Sequence, residues 1–470
     1  MYSHANIIHI LKEKVMQIKL PRKLVCSVQL WICVILVVLA MIFSLTAPII
    51  TLSTNRGFGG DVVDFIEDEL DLNLGAYEFS ENGLEISATK LIGSITLLID
   101  IIGAIDDSNA QRELQAYIAT EDGKENLVTI AGLAVVFMNT FDFDNMPSEP
   151  SFDIIFDMAL TMIALLYVII MTLVIPLMLI IAAIAVVIKA LRNIKTPEDV
   201  SGAVANKLTP MLSMTLTVML FQCVINEGVM KAGSGLTTIF VLAIVSVGIN
   251  FIATRLREYP SAQFKYINIV QPVAILSIVG FLVFFFNLLD TGITTTYIKR
   301  FMPYAIAGEE YVHLALMGVY ILLALGCVSY LDKAARRLCC TVKPEGPKGI
   351  VGLFIKGKIS DNNIVHAVMN LLIYILPAVV IGMDGFRFFY EENESAFSGV
   401  LVGAIIMLIA EIAAIALRTV FCKDLSTREA EELLTGTAMT SEEKLAEAQK
   451  TIAEAEAKVA AAQAKSTDAE

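Results

Sequence analysis

Cysteine, histidine and tryptophan are scarce in this sequence of 470 residues. It holds seven cysteines, four histidines and one tryptophan, and the cysteines form no CxxC pair. These shortages exclude a disulfide framework and the usual zinc motifs. The sequence also lacks HExxH, a dinucleotide-binding fingerprint and a combination of serine, histidine and aspartate typical of hydrolases. We therefore predict that the protein is not an enzyme and has no cofactor and no metal site.

Charge is also scarce, except in one region. Hydrophobic residues make up 56% of the chain, charged residues 17%, and the mean hydropathy is +0.71. Residues 53–153 carry 20 acidic and 4 basic residues, whereas the rest of the chain has a net charge of +2. This composition excludes an ordinary soluble protein and indicates an integral membrane protein with one acidic segment. The acidic segment argues against nucleic acid as a partner.

Eight apolar segments are long enough to cross a bilayer as helices. They predict an all-α integral membrane protein in which seven spans, within residues 154–423, follow a first span at residues 24–45. The segments are Leu24–Leu45, Ile154–Ile188, Leu208–Gly228, Leu236–Thr254, Ile267–Leu289, Tyr311–Leu331, Ile364–Gly382 and Phe397–Leu417. Gly399 and Gly403 in the last of them form a GxxxG pattern, which lets another helix approach closely.

The second apolar segment, Ile154–Ile188, is the longest. It has 35 residues and only one charge, Asp157. As a helix it is about 52 Å long, against about 30 Å for the bilayer core. A hairpin turning at Pro176 leaves Leu177–Ile188 too short to span. We therefore predict one tall helix, with a kink at Pro176.

The distribution of basic residues predicts the topology. With both termini inside, the inside segments carry 26 lysines and arginines and the outside segments carry 8. The positive-inside rule therefore places both termini on the cytoplasmic side and residues 53–153 outside.

The outer region, residues 53–153, has apolar residues at helical spacing in three short runs. Each run is shorter than a span, which predicts an acidic domain of packed or interfacial helices. A re-entrant hairpin made of residues 86–106 and 127–141 is the alternative.

Both ends of the chain are predicted to be cytoplasmic. Residues 1–23 form a basic leader, either an amphipathic helix or an unstructured segment. The tail, residues 424–470, has capping boxes at Ser426 and Thr440 and then a heptad with alanine at one core position. It forms either a short coiled coil or a single alanine-rich helix.

Glu411 is the strongest candidate for an intramembrane site, because a carboxylate in lipid is costly and needs a partner. Asn370 on the preceding predicted span lies at a similar depth and is the predicted partner. Asn250 and Gln271 are lesser candidates. An ion- or proton-linked site is one interpretation. A polar contact that fastens two packed helices is the other.

Three more carboxylates lie near the predicted outer ends of their helices: Asp157, Glu227 and Asp290. Together they form a candidate cation-attracting vestibule beneath the acidic domain. Ordinary placement at the membrane interface is the alternative, since carboxylates reach water there cheaply.

Two functional classes fit these features. The first is a transport or channel-forming subunit that uses Glu411. The second is a non-transporting scaffold of a membrane-embedded assembly, such as a secretion or envelope complex, that docks through its outer domain and tail. The predicted partners are the lipid bilayer and other proteins or further copies of the chain, contacted through the bundle and tail. The predicted location is a cell membrane, with a bacterial plasma membrane as our hypothesis.

The docking role of the tail can be tested by truncation. If residues 424–470 form a docking helix, their deletion reduces the oligomer size or abolishes partner binding, because the heptad face is lost. Size-exclusion chromatography with light scattering of the full-length and truncated proteins measures the change. Unchanged size and unchanged partner binding would contradict the docking role.

Overall fold

Helices make up most of the chain in a computed structural model of this protein. The structure describes residues 20–52, 58–66, 83–104, 108–140, 152–195, 207–224, 230–257, 261–290, 330–339 and 376–426, and scattered tail positions between 429 and 456. The helices are α1 (Arg22–Thr46), α2 (Phe58–Asp64), α3 (Ala88–Gly103), α4 (Ser108–Ile118), α5 (Glu121–Thr140), α6 (Phe152–Lys195), α7 (Thr209–Val224), α8 (Ser234–Leu256), α9 (Ser261–Asp290), α10 (330–338) and α11 (Leu376–Cys422). The strands are β1 (Ile50–Leu52), β2 (Leu84–Ile86) and β3 (Met230–Ala232).

Five of the described helices are long and apolar enough to cross a membrane. Their apolar segments are Leu24–Thr46, Met162–Ile194, Ser234–Leu256, Gln263–Asn287 and Ser398–Cys422. They coincide with five of the eight predicted spans, and they confirm the helical membrane class. The predicted span Tyr311–Leu331 lies outside the described residues except for its last two positions. The predicted span Ile364–Gly382 is described only from residue 376.

The long apolar segment in the middle of the chain forms one helix, as predicted. α6 has 44 residues and passes through Pro176 without a break. It is about 66 Å long. A hairpin at the proline is therefore excluded.

The last long helix differs from the predicted arrangement of the last two spans. α11 has 47 residues and is about 70 Å long, so residues 383–396, predicted as an outside loop, are helical. These residues contain no proline, and the single Gly385 among them does not interrupt the helix. The predicted turn between the last two spans is therefore wrong.

The structure describes α7, within the predicted span Leu208–Gly228, as far as Val224, and residues 225–229 lie outside the described residues. The described helix has 16 residues, about 24 Å, and nearly every side chain on all its faces is buried. The backbone of Lys207, just before it, hydrogen-bonds Cys33 in the middle of α1. α7 therefore begins at mid-depth of the bundle and ends beside the sheet, where the Gln222 side chain donates to the Ile49 carbonyl at 3.5 Å.

Three helix ends lie together at one end of the bundle. Leu20 N donates to Leu256 O at 2.9 Å, which joins the start of α1 to the end of α8. Asn193 Nδ2 donates to Ser27 Oγ at 3.4 Å, which joins the end of α6 to the start of α1. α1 therefore runs antiparallel to both α6 and α8. This is the relative orientation that the charge count predicts.

A small antiparallel sheet at the opposite end was not predicted. β1 is the central strand and pairs with β2 (Ile50 with Ile86) and with β3 (Ile50 with Ala232). The strands have three residues each, too few for a periodic pattern in the sequence. The sheet joins the end of α1 to the start of the outer helices and to the start of α8. Gly233 and Gly235 add hydrogen bonds to Ile49 O and Pro48 O.

The outer helices pack as a small helical unit beside the sheet. α3 buries Leu91, Ser94 and Leu97, and α5 packs against this face. Lys90 and Glu125 form a salt bridge of 2.9 Å across this interface. The other face of α3 exposes five apolar side chains. They are Ile92, Ile95, Leu98, Ile99 and Ile102.

The start of the tail packs on α9. Ala430 and Leu433 are buried against Tyr266 and Ile267, and Gln263 Nε2 donates to Leu433 O at 3.2 Å. The predicted capping box at Ser426 is confirmed, because Glu429 N donates to the Ser426 hydroxyl at 3.3 Å. The one predicted at Thr440 lies outside the described residues. Two core positions of the predicted heptad, Leu445 and Ile452, are exposed in the single chain.

The GxxxG pattern of α11 makes the close packing that was predicted for it. A Cβ at Gly403 would lie 2.4 Å from Phe284 N, and one at Gly399 would lie 2.3 Å from the Asn287 side chain. α9 and α11 thus approach each other at their backbones. A larger side chain at Gly403 would separate the helices, whereas one at Gly399 would displace the Asn287 side chain.

Gly233 provides a test of the junction between the sheet and α8. A Cβ at this position would lie 2.1 Å from the Pro48 carbonyl oxygen, so Gly233→Ala forces two backbone segments apart. We expect it to destabilise the protein by about 1–3 kcal/mol, the usual cost of overpacking. Thermal unfolding in detergent measures the effect.

The matched control is Gly248→Ala, within α8. A Cβ there meets nothing within 4 Å, so alanine fits and favours the helix slightly. Equal melting temperatures for the two variants would contradict a tight junction at Gly233.

Candidate functional site

Glu411 lies inside the bundle and is paired with an arginine. It is 1% exposed on α11. Arg337 on α10 donates to it twice, from Nη1 to Oε2 at 2.6 Å and from Nη2 to Oε1 at 2.8 Å. This bidentate geometry is the strong form of an arginine–carboxylate pair. Both charges are thereby satisfied by each other.

Burial and the charge of Glu411 act on Arg337 in opposite directions. Arg337 lies outside the five span-length helices, and its side chain is 13% exposed. Burial alone lowers its pKa, but the charge and hydrogen bonds of Glu411 more than offset this and raise its pKa above the usual value. Arg337 therefore stays charged, and the pair is a fixed contact between α10 and α11.

Arg337 is the partner that sequence reasoning missed. The predicted partner Asn370 lies outside the described residues. Arg337 was counted with the basic residues of a cytoplasmic connection, because it follows Arg336. The buried residues of α10 recur at helical spacing, and this pattern in the sequence indicates a buried helix face that extends to Arg337. These buried residues are Tyr330, Leu331, Ala334, Ala335 and Leu338. Arg337 lies seven positions after Tyr330 and so shares this face, whereas Arg336 is half exposed and pairs with Asp332.

Two further hydrogen bonds fix α10 in the same place. The Tyr330 hydroxyl donates to Met407 O on α11 at 3.2 Å. Gln271 Nε2 on α9 donates to Leu338 O at 3.0 Å. Gln271, a lesser candidate from the sequence, thus caps the end of α10 and does not bind Glu411. α10 is held by side chains from both of its long neighbours.

A second polar cluster lies between α1 and α8. Gln29 Nε2 donates to Asn250 Oδ1, and Arg257 Nη2 donates to Gln29 Oε1. Asn250 Nδ2 also donates to Ser246 Oγ at 3.5 Å. Gln29, Asn250 and Arg257 are all buried. The sequence indicated only Asn250 among these residues.

The side chains of the predicted vestibule lie outside the described residues. Asp157 is near the start of α6 and Asp290 is the last residue of α9, but the side chains of both are outside the described set. Glu227 lies outside the described residues altogether. The vestibule stays a prediction.

The polar residues of the buried helix α7 bond to its own backbone. The hydroxyls of Ser213, Thr215 and Thr217 donate to carbonyls three or four residues earlier, at 3.4, 2.7 and 2.8 Å. This local bonding is how hydroxyl side chains are accommodated in apolar surroundings. Within the described part of the chain, no group of three or more His, Cys, Asp or Glu side chains is arranged to hold a metal ion.

The ion pair can be tested by removing one partner and then both. Glu411→Gln leaves the buried Arg337 without a counter-charge, and we expect a loss of about 3–5 kcal/mol. The double variant Arg337→Met with Glu411→Met replaces the pair by apolar side chains, and we expect it to recover most of the loss. Thermal unfolding in detergent measures both.

Arg336→Met is the matched control, because it removes the neighbouring, exposed arginine. We expect a change of less than about 1 kcal/mol. If Glu411→Gln is no more destabilising than this control, the pair does not fasten α10 to α11.

The chain was also compared with known proteins. No protein family, no curated protein and no solved structure matches it.

Proposed function

We propose that this membrane protein is a non-transporting scaffold component of a membrane-embedded assembly. The observation that carries the proposal is the continuous core between the outer helices and the bundle. One hydrophobic cluster includes residues of α1, the sheet, α5, α6 and α8. The sheet adds backbone hydrogen bonds at the same junction. A rigid outer unit on a membrane anchor suits a protein that holds other proteins in position.

The state of Glu411 also favours a scaffold. An ion- or proton-linked site needs a carboxylate that can bind and release its cation. Both oxygens of Glu411 are bonded to one guanidinium, and its side chain is 2% exposed. A pair of this kind fastens helices, and removing one partner is costly. Glu411 is thus a structural residue in this proposal, and the protein has no enzymatic role.

The outer face of α3 is a contact surface in this proposal. Its five exposed apolar side chains follow helical spacing on a unit that is otherwise acidic. Exposed apolar rows of this kind mark contacts with proteins or membranes. The partners are other proteins or copies of this chain, and the location is a cell membrane, with a bacterial plasma membrane as the hypothesis.

Transport is the second candidate function, and one observation favours it. The described part of α7 is largely buried and carries Ser213, Thr215, Thr217 and Gln222. Buried helices that begin at mid-depth occur where irregular backbone lines a path through a bundle. In that case the protein is a permease or channel-forming subunit.

Flux and cross-linking distinguish the two functions. We expect liposomes that contain the parent or Glu411→Gln to show no proton or ion flux above empty liposomes. A photo-cross-linking residue at Ile99, which is 63% exposed, should give one discrete adduct in membranes. The same residue at Gln115, on the polar helix α4, is the matched control and should give none.

The opposite results support transport. Flux in the parent that is lost in folded Glu411→Gln would overturn the scaffold proposal. If cross-linking at Ile99 is no stronger than the background at Gln115, the exposed apolar face of α3 is not a contact surface.

A further inference from the structure

Arg257 is a buried arginine without a carboxylate partner in the described part of the chain. It is 4% exposed. Its guanidinium donates to the side-chain carbonyl of Gln29, and its Nε has no hydrogen-bond acceptor among the described residues. Buried charges in proteins are normally paired. Among the described residues, Arg257 thus has neither a counter-charge nor an acceptor for its Nε.

The side chain of Arg257 reaches into the bundle. Arg257 directly follows α8, at the level where Leu20 N bonds Leu256 O. Its acceptor Gln29 lies about 10 Å deeper along α1, seven residues after the start of that helix. Arginines near the ends of membrane helices usually extend toward water. This arginine extends in the opposite direction, toward Gln29 and Asn250.

The neighbouring amides cannot neutralise this charge. Gln29 contributes one carbonyl dipole to Arg257, and its amide group is occupied by Asn250. Asn250 in turn donates to Ser246. The network fixes the position of the guanidinium but supplies no negative charge. A bound anion that reached the guanidinium would supply this charge.

The surroundings attract an anion from the inner face of the membrane. Arg255, two residues before Arg257, is exposed and donates to Asn268. Lys189 and Arg192 lie on the last turns of α6, whose end is bonded to the start of α1. Basic pockets between helices on the cytoplasmic side are typical binding sites for lipid phosphates.

We propose that Arg257, oriented by Gln29, binds a phosphate group at the inner end of α1 and α8. Two sources share this chemistry, the headgroup of an anionic lipid and free phosphate. Phosphate oxygens accept hydrogen bonds from a guanidinium in good geometry. Apolar side chains exposed on α1 beside the site offer a surface for acyl chains. They are Leu24, Val28, Trp31 and Ile35.

The fluorescence of the only tryptophan of the chain can be used to test whether an anionic lipid is the ligand. Trp31 lies two residues after Gln29 and is 40% exposed. In phosphatidylcholine vesicles with an increasing share of brominated phosphatidylglycerol, quenching of Trp31 gives the relative affinity for the anionic lipid. We expect the parent to prefer phosphatidylglycerol about fivefold, the ratio that one well-placed arginine provides.

Two variants and one control test the role of Arg257. Arg257→Gln removes the charge, and Gln29→Glu supplies an internal carboxylate in place of the ligand. Both should reduce the preference to about one, and Gln29→Glu should raise the melting temperature of the lipid-free protein. Arg255→Gln, which removes a neighbouring exposed arginine, should keep the preference. If Arg257→Gln does not fold, the lipid preference of Gln29→Glu alone tests the proposal.

Inorganic phosphate tests the other source. The melting temperature is measured in phosphate and in sodium chloride of equal ionic strength. If phosphate raises the melting temperature of the parent but not of Gln29→Glu, free phosphate is the ligand. Neither a lipid preference nor a phosphate effect in the parent overturns the proposal. A lipid preference that Arg255→Gln abolishes as fully as Arg257→Gln also overturns it, because general surface charge then explains the binding.

Discussion

The lack of water inside a bilayer constrains the whole structure, because every backbone group and every charge must find a partner within the protein. The long helices α6 and α11 satisfy their own backbones. Where α1 ends at Thr46, the chain enters the strand β1, which bonds to β2 on one side and to β3 on the other. The same junction binds the outer helices to the bundle. Satisfying the backbone at one helix end thus also joins the two parts of the molecule.

Two buried arginines differ in how the free-energy cost of burying their charge is offset. Arg337 meets Glu411 in a bidentate pair, and both charges are neutralised at once. Among the described residues, Arg257 meets the amide of Gln29 and no carboxylate. The first arrangement is complete and suits a fixed contact between helices. In the second, the described residues supply no negative charge, and this is the basis of the proposed phosphate ligand. α10 and the residue after it lie between them, since Cys339 O accepts from Thr254 near the second cluster at 3.5 Å.

The structural role of Glu411 changes the balance between the functional hypotheses. The sequence presents a deep carboxylate, which favours transport by default. Its pairing with Arg337 instead favours a role in holding the helices of the bundle together. What then distinguishes the molecule is the outer unit, fixed to the membrane helices and carrying a row of exposed isoleucines and a leucine on α3. These features fit a scaffold better than a path for ions.

The sequence by itself determined the membrane class, five of the spans, the single tall helix α6, the close packing at Gly403 and the capping box at Ser426. Each of these depends on local composition, on helical periodicity or on the spacing of two or three residues. Only the tertiary structure decided the sheet, whose strands come from residues 50, 84 and 230 and are too short to show a pattern. It also decided the partner of Glu411, which lies 74 residues away on α10. In the same way it joined Gln29 to Asn250 and Arg257 across more than 200 residues. The residue types at these positions can be read from the chain, but which of them meet depends on how the helices pack in space.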